Sequence, residues 1–281
     1  MSPQLVIMID WSASSTRGPA KESADRCWFA WGRRGQAVRP APVYCRTRGD
    51  CMDQVEALLR EHPGGALIGF DFPIGYPRAE DDRPVLPEGR ALVETIAAQI
   101  VDRPDGTGNR FAVAAALNRE IRQRTRRAQG PFWGVPAAQA TADVTVKKPR
   151  ETGVAEYRPV ERMLRARKRN IQSAWKLLGA GSVGSQALLG LPAVARVLRL
   201  AGRRGRLWPF ESVDREDALV VAEIWPTLGD FRSSRYAGVA IKDARQVLAM
   251  RDAVLDEPER VRAELLAPPA EPTGWILGVP R

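Results

Sequence analysis

The chain has 281 residues, of which 44% are hydrophobic and 27% charged, and a net charge of +10 at neutral pH. This balance allows a sizeable core and excludes a disordered chain, a collagen-like chain and a small disulfide scaffold. The three cysteines, Cys27, Cys45 and Cys51, lack zinc spacing and fit a reducing, cytoplasmic setting, and the single histidine, His62, leaves no material for a Ser-His-Asp triad or a multi-histidine metal centre. Length suits one large domain over residues 1–281. Residues 5–10 are apolar and end in Asp10, without the basic leader of a signal peptide, so they are expected to form a strand. No apolar run reaches the roughly 20 residues that span a bilayer, so no membrane partner is expected. Residues 26–32 and 41–46 read as two further strands. Residues 50–61 carry Met52, Val55, Leu58 and Leu59 at helical spacing, with Asp50 or Asp53 as cap. His62-Pro63-Gly64-Gly65 stops that helix, and residues 66–72 predict another buried strand.

Residues 86–206 form a basic, mostly helical insertion, with 23 Lys and Arg against 9 Asp and Glu. Helical spacing covers 91–101, 110–127, 161–178 and 185–200, while 131–160 and 179–184 read as loop. A strand over 218–225 follows, then helices over 241–255 and 257–266, and a tail, 274–278, that docks on the core.

Three consecutive strands form an antiparallel meander, and a helical crossover then returns the fourth parallel to the first. This is the layout of the ribonuclease H-like fold, an α/β mixed sheet of antiparallel and parallel strands, here with a helical insertion. The first, fourth and fifth predicted strands then open their carboxyl ends on one crevice. Asp10, Asp71 and Glu223 stand at or near those ends. Three converging carboxylates repel one another unless a cation or a shared proton neutralises them. Oxygen donors without imidazole or thiolate suit Mg²⁺ or Mn²⁺, which serve phosphodiester cleavage.

Ile9-Asp10, the segment Gly69-Phe70-Asp71-Phe72-Pro73-Ile74-Gly75, Glu223-Ile224-Trp225-Pro226, and Lys242 with Arg245 together resemble a bacterial and archaeal family described as predicted RNase H-like nucleases. The resemblance covers about half the chain, and the Asp-x-Pro-Ile-Gly segment is its most specific part. It implies Asp10, Asp71 and Glu223 as catalytic metal ligands and Lys242 as a basic catalytic position. The chain departs from the family at Trp11, where glycine is usual, and at Trp225, where histidine is usual. Asp243, at the start of the late helix, is a candidate fourth ligand, whereas Asp53 and Glu56 read as solvated helix-face acids.

The predicted activity is a metal-dependent nuclease, with nucleic acid as partner. Arg119, Arg122 and Arg126, with Arg165 and Arg169, are candidate phosphate contacts, and Trp133, Trp175 and Trp208 are candidate stacking rings. Two rival readings stay open. The hydroxyl-rich loop 12–18 would cradle phosphates in an actin-like or sugar-kinase-type phosphotransferase or ATPase. Alternatively, the domain binds nucleic acid or a protein without turnover.

Overall fold

The computed structural model describes residues 2–179 and 181–280. The apolar run Leu5–Asp10 forms β1, which pairs antiparallel with β2 (Cys27–Arg33), and β2 pairs antiparallel with β3 (Val43–Cys45). Helix α1 (Arg48–Glu61) crosses over, and β4 (Ala66–Phe70) returns parallel to β1. Four helices then follow: α2 (Gly89–Gln99), α3 (Arg110–Thr125), α4 (Pro159–Ala166) and α5 (Gly184–Ala201). They lead into β5 (Gly205–Leu207) and β6 (Leu219–Glu223). The chain continues with α6 (Lys242–Asp256) and α7 (Pro258–Leu266). The six strands make one mixed sheet in the order β3-β2-β1-β4-β6-β5. Register pairs Ile9 with Phe70 and Phe70 with Glu223, so β1, β4 and β6 end level.

Successive strand residues point to opposite faces of a sheet, and here both faces are covered. Leu5, Ile7, Ile9, Ala66, Ile68, Phe70, Leu219 and Val221 pack against α1, α2, α3 and α5. Val6, Met8, Leu67, Val220 and Ala222 pack against α6 and α7. Side chains such as Ile7 and Val221 lose all solvent exposure; burial of this kind is worth roughly 1.5–3 kcal/mol each. A smaller cluster forms at the carboxyl end of the sheet, where Val160, Leu164 and Ile171 meet Ile276 and Val279, with Trp225 and Trp275 against them. The docking of the tail is thereby explained, and Leu277 N–H also donates to the Glu223 carbonyl at 2.9 Å.

Three local readings change. Thr47, not Asp50 or Asp53, caps α1, because its hydroxyl accepts from Asp50 N–H at 3.0 Å. The helix expected over 161–178 is only α4, since Lys168 takes a left-handed conformation, φ +58°. Arg169 N–H then closes the turn on the Leu164 carbonyl at 3.0 Å. Residues beyond it extend instead, with Trp133 bridging to Lys176. The edge strand β5 has no counterpart in the predicted elements. The loop expected over 179–184 includes Ala180, which lies outside the described residues. No helix among the described residues is long and apolar enough to cross a membrane.

Candidate active site

Asp10 closes β1 and Asp71 follows β4 by one residue. By strand alternation Asp10 shares the parity of Val6 and Met8, and Asp71 that of Leu67, so both belong to the face covered by α6. Asp243 and Lys242 open α6 on that face. Trp11 N–H donates to Asp71 Oδ1 at 2.7 Å, tying the two strand ends together. Asp243 Oδ2 accepts Asp25 N–H at 2.9 Å.

Electrostatics bind these acids into one group. Burial, then repulsion from Asp71 and Asp243, holds the Asp10 carboxyl well above the usual carboxylate range, with Lys242 pulling weakly the other way. Burial pushes Asp71 up to about 7; Asp243 and Glu223 add repulsion, and the Trp11 N–H bond opposes it. Carboxyls raised in this way take up protons more readily than free ones unless a cation neutralises them. Among the described residues, no three His, Cys, Asp or Glu side chains stand closely enough to form a preassembled metal centre. As they stand, Asp71 and Asp243 are each turned towards a backbone N–H. The donor set itself, all carboxylate oxygen, fits a hard divalent cation.

Glu223 has a different environment. Its parity is that of Leu219 and Val221, so it leaves the sheet on the face opposite Asp10 and Asp71. There it is buried and forms a bidentate pair with Arg158, at 2.6 and 2.7 Å, while Ile74 N–H donates to Oε2 at 3.0 Å. Arg158, fully buried, also holds Glu161, 2.8 Å away. The carboxylate expected to hold a metal is thus occupied by a guanidinium and a backbone N–H. Arg158 is the residue that sequence reasoning missed. It lies in a stretch read as loop, and the one available signal is its capping-box relation to Glu161 three residues on. Gly75 closes this corner: a Cβ there would stand 2.0 Å from the Thr273 carbonyl oxygen, which Arg158 Nη1 approaches at 3.4 Å.

Two clefts are lined by residues that follow the carboxylate-bearing strands, Trp11 in one and Trp225 in the other. One, of about 440 Å³, lies beside the loop after β1 and is lined by Trp11, Ser12, Arg26, Arg48, Asp102 and Arg196, among others. Its arginines are largely committed: Arg48 holds Asp102 (Nε to Oδ2, 2.6 Å), and Arg196 holds Asp53 and Glu56. The hydroxyl-rich loop is likewise satisfied internally. Ser12 Oγ donates to the Asp25 carbonyl and accepts Ser14 N–H, and Ser14 Oγ accepts Thr16 N–H. These N–H groups are not free to cradle a phosphate. The second cleft, about 490 Å³, is lined by Lys168, Arg169, Trp225, Phe231 and Arg232. Lys242 Nζ stands 6.0 Å from the Phe231 ring centre, connecting this groove to the carboxylates.

The basic insertion keeps most of its candidate arginines at the surface, several of them already engaged by neighbouring groups. Arg119 and Arg122 both hold Asp143 at 2.7 Å. Arg165 stacks over Tyr157 at 4.3 Å and donates to the Ile171 carbonyl. Arg126, in a left-handed conformation at the end of α3, and Arg169 remain exposed. Trp208 is fully buried, and Trp175 stacks on Tyr76 at 4.9 Å inside the core, so neither offers a ring to a base. Trp133 is half-buried, with Lys176 over its ring. Asp53 and Glu56 pair with Arg196, and Arg245 keeps a buried Nε without a hydrogen-bond partner. His62 sits at the end of α1, remote from the strand ends that carry Asp10 and Asp71. No protein-family model, no curated protein and no solved structure matches the chain.

Proposed function

We propose that the protein is a metal-dependent nuclease on a ribonuclease H-like core. The observation that carries this reading is the mutual repulsion of Asp10, Asp71 and Asp243 beside Lys242, at the level carboxyl ends of parallel strands. The strand order β3-β2-β1-β4-β6, with only β2 reversed against its neighbours, supports the core assignment. Asp10, Asp71 and Asp243 would hold Mg²⁺ or Mn²⁺; Glu223, tied to Arg158, passes from ligand to positioning residue, orienting the turn at Ile74. The cation would supply activation of a water and stabilisation of the leaving oxygen in phosphodiester hydrolysis. Lys242, exposed at the head of α6, offsets charge at Asp10 and is placed to meet a phosphate. The phosphotransferase reading loses support because the N–H groups of Ser14 and Thr16 are already bonded.

The test is cleavage of labelled single-stranded, double-stranded and hybrid nucleic acids by wild type and Asp71→Asn, with EDTA, Mg²⁺ or Mn²⁺. Cleavage by wild type alone, and only with metal, is expected. Absence of cleavage in every lane by folded protein overturns the reading and leaves a binding module.

A further inference from the structure

The end of α4 is built to project charge. The left-handed turn at Lys168 ends the helix and leaves Lys168 and Arg169 exposed in succession. Across the groove, the connection from β6 to α6 brings Trp225, Phe231 and Arg232. Among the described residues, the side chains of Lys168 and Arg169 make no ion pair or hydrogen bond. Arg232 makes one contact, lying 5.6 Å from the Phe231 ring centre. Asp230 is the single acid in the lining, so three cations face one carboxylate. This sets the groove apart from the cleft beside β1, whose arginines are mostly satisfied within the protein. Trp225 packs on the cluster of Val160 and Ile276, which anchors the ring while it lines the groove.

We propose that this groove binds one unpaired nucleic-acid strand, with bases against Trp225 and Phe231 and phosphates on Lys168, Arg169 and Arg232. A duplex hides its base faces, whereas an unpaired strand offers them to aromatic rings and its phosphates to a cationic rim. The contact of Lys242 with Phe231 sets the head of α6, which carries Asp243, beside the groove, so the inference rests on the nuclease reading and names its substrate as single-stranded.

The experiment measures fluorescence anisotropy of labelled dodecathymidylate, dodecauridylate and a 12-base-pair duplex with the whole protein in EDTA. Wild type, Arg169→Glu/Arg232→Glu and Phe231→Ala are compared, and each melting temperature confirms the fold. The expected result is single-strand binding roughly tenfold tighter than duplex binding. The double variant should weaken it about tenfold or more and flatten the salt dependence by ~1.4 in log–log slope, about 0.7 per lost phosphate contact. Phe231→Ala should weaken it roughly tenfold with the slope unchanged. The two strands separate DNA from RNA as the source of the same chemistry. Equal loss for duplex, unchanged single-strand affinity in the double variant, or equal displacement by polyglutamate overturns the groove. Metal-dependent cleavage by wild type is read separately. Cleavage with no groove-dependent binding overturns this inference alone, and binding without cleavage overturns the nuclease reading alone.

Discussion

Glu223 and Asp71 lie at the ends of neighbouring parallel strands, yet the protein treats their charges in opposite ways. Glu223 is neutralised from within, gripped by Arg158 on the α5 side of the sheet. Asp71 leaves on the α6 side, where Asp10 and Asp243 share its surroundings and Lys242 offsets the charge at Asp10. One residue of strand parity separates the two situations. A carboxylate that carries its own counter-charge serves structure; carboxylates that share none are poised for an external one.

The largest effect that would break this contrast concerns turnover. Asp71→Asn should lower metal-dependent cleavage by a factor of about 10³ or more in single-turnover assays, with the circular dichroism spectrum unchanged. Retention of cleavage would remove Asp71 from the machinery. Next comes stability. Glu223→Gln leaves Arg158 buried and half-paired, and should cost about 3–5 kcal/mol in urea unfolding. A cost near zero would mean that the Arg158 pair does not hold this corner.

The acid group should respond to pH in a set direction. Because the Asp71 carboxyl is raised from 3.8 to about 7, its contribution to stability is full below pH 4 and is lost as pH climbs through 7. Asp10 shifts the same way, and the two titrate together. In EDTA at pH 8, Asp71→Asn should therefore be more stable than wild type, by at most ~4 kcal/mol, given roughly 1.4 kcal/mol per pH unit. Glu223→Gln and Asp71→Asn thus move stability in opposite directions, and equal signs would erase the comparison. Saturating Mg²⁺ or Mn²⁺ should stabilise the wild type at pH 8 by about 2.7 kcal/mol at a hundred times Kd, read as a higher melting temperature, and leave Asp71→Asn nearly unmoved. The smallest effect belongs to the surface. Arg119→Ala, which breaks a partly exposed pair with Asp143, should cost under about 1 kcal/mol and leave oligonucleotide affinity within twofold.

How far the chain could be read in advance follows from the range of the interactions. The strands around Asp10 and Asp71 show in apolar runs of five or six residues, a local signal. The parity that sends Glu223 to the other face was not legible, since residues 219–222 are all apolar and the facing follows from the register that sets Phe70 beside Glu223. Nor was the partner of Glu223, because Arg158 is 65 residues away and its guanidinium resembles eighteen others in the insertion. The three residues of β5 carry too little pattern to mark a strand. The basic stretch 161–169 reads as one surface, but Arg165 turns back onto Tyr157, while Lys168 and Arg169 line the groove beside Trp225.

The tail bears on how the molecule is made. Thr273 presses on Gly75, and Leu277 is held by the strand that carries Glu223. A ribosome delivers Asp10 and Asp71 some two hundred residues before it delivers these contacts. The corner behind the carboxylates therefore stays open until residues 273–279 have followed them out of the ribosome. A chain that stalls before residue 273 carries Asp10 and Asp71 without the contacts that close the Glu223 corner.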